Sequence, residues 1–434
     1  MNDSSSSWIW CLPALPALMA LGLGCSWLLG LEPAERVVAR LSKLSFVVLL
    51  LGVGRAGLQM AERQWDSLHA AMGSPWFEVG NYGFELSLQL DLLSLPLVAL
   101  TVLLAALIGS FSTRYLHRDP GYLRFFLLLQ LFTAAALLLF MADGLDGLLA
   151  GWELVGITSV LLIAFFQTRP EPVRNALRVF GTYRAADLFM LLAVFLAHHG
   201  FHTASWAAMF SGQWPAHASA IEGHGLGWIA ALLVMAASGK SAQGPFCGWL
   251  ARAMEGPTPS SAIFYGAISV HAGIYLLLRV QPLIASSEAA TVLLLIIGAT
   301  TALLGTLVHR TCADVKTSLT YAVQTQLGLI FVEIALGWTQ LALLHLVSHA
   351  LLRTLQFLRA PSMLRDHHRV HAAAGGELEP TGAHWEQWLP KPLQLWLYRV
   401  ALGRGFYDPL VDRLIIAPIE AVARMLRRLE PGPH

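Results

Sequence analysis

The chain has 434 residues, 56% of them hydrophobic and 13% charged, with a formal net charge of +1 and a mean hydropathy of +0.59. A soluble domain carries about 25% charged residues, so this composition excludes a water-soluble fold, and the near-neutral balance argues against a nucleic-acid surface. What remains is an integral membrane protein in which each charge at bilayer depth needs its own explanation.

Spanning a bilayer takes about 20 apolar residues. In chain order the apolar runs fall at 8–31, 43–61, 90–112, 121–141, 144–166, 174–198, 226–250, 258–280, 289–309, 315–337 and 339–360, about eleven spans in all. The first lacks a basic stretch ahead of it and is long enough to span, so it reads as a transmembrane helix rather than a cleaved signal. The seventh and eighth read as broken helices. Gly239, Gly244 and Pro245 interrupt the seventh, and Gly256-Pro257-Thr258-Pro259 separates the two. Non-helical backbone at that depth is tolerated only inside protein or beside a water-filled cavity.

Basic residues set the orientation. Arg36, Arg40 and Lys43, then Arg114 and Arg118, Arg169 and Arg174, Arg252, Arg310 and Lys316, and Arg365 and Arg369 fall in alternate loops. The intervening loops hold few basic residues, Arg63 and, at a helix end, Arg279, and carry Asp66, Glu78, Glu85, Asp143, Asp146 and Glu222 instead. The asymmetry predicts an N-terminus outside and a cytoplasmic C-terminal region in a bacterial-type inner membrane. After Leu364 the sequence turns polar, and 365–390 reads as a cytoplasmic loop. Residues 391–434 are amphipathic: Leu410, Leu414, Ile415, Ile419, Val422 and Met425 recur at helical spacing among Asp412, Arg413, Glu420, Arg424, Arg427 and Arg428. That segment is too charged to span, and reads as a helix along the membrane surface, against a partner or packed back on the bundle. The fold class is therefore an all-α polytopic membrane protein with broken helices near 226–280 and a C-terminal amphipathic helix.

The ionisable residues inside the spans are Glu153, Asp187, Lys240, His271, Glu333, His345, His349 and Arg353. An ammonium at the bilayer centre costs about 2.5–3.5 kcal/mol on insertion scales, so Lys240, in the apolar run ending Met235-Ala-Ala-Ser-Gly-Lys240, needs a task. A carboxylate near a lysine holds it protonated, and withdrawing that carboxylate lets desolvation release the proton. Glu153 and Lys240 thus suit an electrostatic switch; a static ion pair tying two helices would use the same residues. His345, His349 and Arg353 lie four apart and share one helix face. The His-x-x-x-His spacing also suits zinc, but no glutamate stands in the metalloprotease position and no cysteine is near. Imidazoles that titrate near neutrality fit a proton relay or structural hydrogen bonds better. Glu333 reads as a helix-end or interface residue. Cys11, Cys25, Cys247 and Cys312 are scattered without metal or disulfide spacing. With no Walker loop, no Gly-x-Gly-x-x-Gly and no cysteine cluster, the chain is expected to hold no cofactor, metal or catalytic centre of its own.

At this point the motifs resemble a known family. Gly239-Lys-Ser-Ala-Gln-Gly-Pro245 followed by Trp249-Leu-Ala-Arg-Ala-Met-Glu-Gly-Pro-Thr-Pro-Ser-Ser-Ala262 is similar to the signature of the antiporter-like subunits of respiratory complex I, best the subunit L (chain 5) type shared with the large subunit of Mrp antiporters. Gly151-Trp-Glu-Leu-Val-Gly156 resembles that family's glutamate helix, and Arg184-Ala-Ala-Asp187 its Arg-x-Gly-Asp element. Asp314–Gly328 matches the helix after the broken pair, and His345-Leu-Val-Ser-His-Ala-Leu-Leu-Arg353 the His-x-x-x-His-x-x-x-Lys helix. The resemblance covers most of 88–364, with a further likeness in the tail from Phe406 to Pro418.

The resemblance implies proton translocation, with Glu153 and Lys240 as the switch pair, Asp187 beside Glu153, and His345 and His349 leading to Arg353. It implies a layout of N-terminal spans and outer loop (1–87), conducting core (88–364), cytoplasmic loop (365–390) and amphipathic tail (391–434). Two departures stand out. Arg353 replaces a lysine, and its guanidinium cannot pass on a proton. The family's second broken helix has no counterpart, so the chain looks shortened. A histidine usual in the eighth helix is Tyr265 here, with His271 further along. The expected partners are other membrane subunits of a complex I or Mrp-like assembly. The alternatives are a soluble DabA-like partner, in a DabB-like inorganic-carbon uptake system driven by proton-motive force, or a role as a non-pumping scaffold.

Overall fold

The computed structural model describes residues 4–71, 77–79, 82–84, 86–202, 204–215, 218–219, 225–360, 372–373, 388–406, 409 and 412–429. Most of the expected loop at 365–390 lies outside them, as does the side chain of Tyr265. The principal helices in chain order are α1 (Cys11–Leu28), α2 (Glu35–Glu62), α3 (Ser94–Tyr115), α4 (Tyr122–Met141), α5 (Leu145–Ile163), α6 (Pro170–Phe201), α7 (Leu226–Lys240), α8 (His271–Arg279), α9 (Glu288–His309), α10 (Val315–Ala335), α11 (Thr339–Arg359), α12 (Lys391–Leu402) and α13 (Ala417–Leu429).

Among the described residues, eight helices are long and apolar enough to cross a membrane: α1 with the turn before it, α2 to α6, α9 and α11. The other three expected spans depart for physical reasons. α10 has the length but carries Thr320, Gln324, Gln326 and Glu333 along it. α7 stops at Lys240, and the eighth span is divided into a short helix Thr258–Ser261, a π-helical stretch Ala262–Ala267 and α8. The chain is an integral multi-pass membrane protein.

Sequence-local signals set the helix ends. Ser287 and Asp314 cap α9 and α10, accepting from the amides of Ala290 at 3.3 Å and Thr317 at 2.8 Å. Pro170 opens α6, where its missing N–H costs nothing. Between apolar helices close packing must come from small residues. A methyl group at Gly298 would stand 2.6 Å from the carbonyl of Gly328, and one at Gly328 the same distance from that of Gly298. α9 and α10 therefore meet backbone to backbone.

The break after α7 has its backbone groups satisfied by side chains of other helices. Gln324 of α10 donates to the carbonyls of Ala242 at 2.7 Å and Cys247 at 3.0 Å. Thr301 of α9 accepts from the amide of Gly244 at 3.0 Å, and the Trp249 indole donates to the Gly239 carbonyl at 2.9 Å. These bonds do what water cannot do inside a bilayer.

The two ends of the bundle differ. One is basic: Glu35 accepts from the Arg118 amide at 2.8 Å and binds His117 Nδ1 at 2.7 Å. At the same end Arg178 of α6 pairs with Asp412, anchoring the C-terminal segment. Much of the apolar side of that segment (Leu414, Val422 and Met425) stays exposed. The opposite, acidic end holds Asp66, Asp143 and Asp146 and a small antiparallel hairpin in which Leu68–Ala71 pairs with Ser87–Leu90.

Candidate functional site

Lys240 is the last residue of α7 and is 1% exposed. It reaches α5 and α6 because both neighbours have small residues there: a methyl at Gly239 would stand 2.1 Å from the Ala186 side chain, and one at Gly156 3.0 Å from Lys240 Nζ. The ammonium donates to the Trp152 carbonyl at 2.9 Å. It also lies 4.9 Å from the Trp152 ring centroid and 4.5 Å from that of Tyr183, an arrangement that stabilises a desolvated cation.

Glu153 is one residue along α5, yet its direct ionic partner is Arg184 of α6. Arg184 also pairs with Asp187 at 2.6 Å, and Asp187 accepts from the Trp152 indole at 2.6 Å. Trp152 therefore touches both halves of the site, its indole on Asp187 and its carbonyl on Lys240. Asp187 and Lys240 are thus joined through Trp152, and Glu153 is joined to Asp187 through Arg184. The result is a cluster of two carboxylates and two cations. The expected pair, with Asp187 beside it, sits in a quartet that also contains Arg184, and Trp152 links its two halves. The three-residue spacing of Arg184 and Asp187 on one helix was the available signal for the former; a tryptophan in an apolar run carries none.

The route from this cluster to the histidines is short. Ser241, next to Lys240, donates to the Val270 carbonyl at 2.7 Å, one residue before His271. Ser159 of α5 lies 3.3 Å from Ser269. His271 Nε2 is 3.0 Å from His349 Nδ1, and both rings are buried. On its other nitrogen His349 accepts from Arg353 Nε at 3.3 Å. A guanidinium only donates, so this contact assigns the His349 proton to Nδ1, which then donates to His271. Protonating His349 Nε2 requires Arg353 to move.

His345 does not converge with His349 on one point. Their ring centroids are 6.3 Å apart, and His345 binds Glu333 at 2.8 Å through Nδ1 and Gln326 at 3.0 Å through Nε2. Glu333, read from the sequence as a helix-end or interface residue, is thus the carboxylate beside His345. The four cysteines are free thiols.

Comparison with known proteins follows the same lines. A family model described as NADH:quinone oxidoreductase/Mrp antiporter, TM, matches residues 142–379, and one described as NADH-Ubiquinone oxidoreductase (complex I), chain 5 N-terminus, matches 76–126. NADH-quinone oxidoreductase subunit L of Escherichia coli (strain K12) is 35% identical over 305 residues, 70% of this chain and 49% of that protein. NAD(P)H-quinone oxidoreductase subunit 5, chloroplastic, of Zygnema circumcarinatum is 32% identical over 370 residues, 83% of this chain and 52% of that one. The chain spans about half the length of these curated relatives. Among solved structures, the Mrp complex from Dietzia sp. DQ12-45-1b aligns with a TM-score of 0.65 at 28% identity, over 80% of this chain and 36% of that one. With the glutamate helix, the broken lysine helix and the histidine helix all in place, the chain belongs to the NADH:quinone oxidoreductase/Mrp antiporter family of membrane subunits.

Proposed function

We propose that this protein is a proton-translocating membrane subunit of a larger complex, with residues 88–364 as the conducting core. The observation that carries the reading is a polar line through the bundle, from the partly exposed Glu153 and Arg184 through the buried Asp187, Lys240, Ser241, His271 and His349 to the partly exposed His345. Intramembrane charges of this kind face bundle interiors where they mark ion pathways. Lys240 is the switch: its proton is held while the carboxylates are near, and released when Arg184 draws them away or they are neutralised. Asp187 and Glu153 set that field, His271, His349 and His345 relay the proton, and Arg353 governs whether His349 can accept one. The basic end faces the cytoplasm and the N-terminus lies outside, as the loop charges dictate.

Partners of complex I or Mrp type follow from what the relatives are subunits of. A second reading, in which the chain feeds proton-motive force to a soluble DabA-like protein, is supported by Arg353, since a guanidinium on the relay blocks onward transfer. Co-purification separates the two: membrane subunits support the first, a zinc-containing soluble protein the second.

Proton flux into sealed vesicles holding the intact assembly, followed with a pH-sensitive dye, tests the mechanism. Lys240→Ala should abolish flux. Lys240→Arg should fail as well, because arginine keeps the charge and does not deprotonate. Wild-type flux in Lys240→Ala would overturn the reading in favour of a scaffold.

A further inference from the structure

His271 is 0% exposed, so a proton resting there needs a path to water. Three side chains of α8 stand at four-residue intervals on one face, His271, Tyr275 and Arg279, and all are fully buried. In a helix serving only to pack, that face would be as apolar as the neighbouring Leu276, Leu277 and Leu278. Eight residues of helix carry the ladder roughly 12 Å along the bundle. Its far rungs are connected: Arg279 Nη2 donates to the Tyr275 hydroxyl at 3.1 Å, and the Tyr275 hydroxyl donates to the Phe140 carbonyl at 2.8 Å. The Arg279 guanidinium also forms a two-pronged pair with Asp91, which is fixed by Ser94 Oγ at 2.9 Å and the Ser94 amide at 2.8 Å.

Asp91 and Arg279 line a cavity of about 260 Å³ at the acidic end, together with Trp65, His69, Gln89 and Gln213. Trp65 and Gln213 are exposed at its rim, whereas Asp91 and Arg279 form its buried floor. The Gln89 side-chain oxygen and Arg279 Nε are buried without a protein hydrogen-bond partner. Polar atoms of that kind are the ones ordered water bonds in a cavity this size.

We propose that this cavity is the acidic-end mouth of the proton path and that the His271–Tyr275–Arg279/Asp91 ladder joins it to the histidine cluster. The inference rests on the histidines' carrying protons. The proton leaves His271 for a water beside Tyr275; the hydroxyl, turned from the Phe140 carbonyl toward water beside Asp91, accepts it while releasing its own, and rotation back to Phe140 resets the step. Arg279 passes no proton. It positions Tyr275 and Asp91.

The test uses the intact assembly in vesicles. Tyr275→Phe removes one hydroxyl and keeps the ring, and should cut flux about ten-fold or more. Gln89→Cys, treated with a membrane-impermeant charged thiosulfonate in right-side-out and inside-out vesicles with the wild type as blank, should lose flux from one side only. If Lys240→Ala is inactive while Tyr275→Phe and modified Gln89→Cys both conduct like wild type, the route is wrong and the central mechanism stands. If Lys240→Ala conducts, the central mechanism itself is wrong. Hydroxyl radicals generated in situ by X-ray pulses give a readout independent of flux: they should label Tyr275 and spare Phe132. An unlabelled Tyr275 overturns the route.

Discussion

Arg184 stands between Glu153 and Asp187 and pairs with both, while Lys240 meets the same group through the Trp152 carbonyl. The charge that holds Glu153 is therefore not the charge that would be released. Two unit charges about 4 Å apart interact by about 4 kcal/mol at an effective dielectric constant of 20. A small displacement of Arg184 thus redistributes several kcal/mol among its neighbours. In the proposed mechanism, a proton arriving at Glu153 is felt at Lys240 in this way, without contact between them.

Arg184→Gln should separate these roles. It leaves Asp187, with a side chain 4% exposed, the Trp152 indole as its hydrogen-bond donor, at a cost of about 1–3 kcal/mol for an under-satisfied buried group. Proton flux should fall about ten-fold or more, with partial recovery in Arg184→Lys, which restores the charge but not the fork that spans two carboxylates. Unchanged flux in Arg184→Gln would remove it from the switch. A thermal-unfolding scan in detergent measures the stability change.

Gly156→Ala tests how closely Lys240 must approach α5. In a helix alanine gains about 0.5–1 kcal/mol over glycine, but here the new methyl would stand 3.0 Å from Nζ. Stability should stay within about 1 kcal/mol of wild type, while flux falls because the ammonium is pushed off the Trp152 carbonyl. Gly156→Val should be worse in both respects. Wild-type flux in Gly156→Ala would mean that the observed position of Lys240 does not matter to transport.

The spans and the two broken helices were legible because hydropathy, Gly244, Pro245 and the Gly256–Pro259 run are local signals. The likeness to the family was legible for the same reason: its motifs are contiguous. Pairings across helices were not. Nothing local says that Glu153 chooses Arg184 over Lys240, or that Glu333 binds His345 from a neighbouring helix. The interruption at 268–270 was also hidden, because no glycine or proline lies there. It follows from close packing instead: a methyl at Gly266 would stand 2.9 Å from the Thr354 amide of α11, and the π-helical turn at 262–267 carries that approach.

Gln324 holds the backbone after the lysine helix and lies outside the proposed relay. Gln324→Leu would leave the carbonyls of Ala242 and Cys247 without their side-chain donors, a destabilisation of about 2–4 kcal/mol for two buried acceptors. Gln324→Glu, which keeps the shape but not the donors, should fall near the leucine variant. Thermal unfolding of the purified protein checks both. If Gln324→Leu melts with the wild type, other groups must satisfy the broken backbone.

His69, in the hairpin at the acidic end and outside the spans, predicts a pH dependence. Its Nδ1 lies 3.6 Å from Asp143, and that contact raises the imidazole pKa above its ordinary value, against the opposing effect of partial burial. A group whose folded pKa is raised adds stability that is fully present below its unfolded value, about 6.5, and is lost as pH climbs through the folded one. The strand Leu68–Ala71 should therefore be better protected from amide hydrogen exchange in mild acid than at pH about 8, once intrinsic rates are corrected. Asp143→Asn should flatten that difference, because an amide gives the imidazolium no charge to pair with. Equal protection at both pH values in the wild type, or an undiminished difference in Asp143→Asn, would show that this contact does not secure the hairpin.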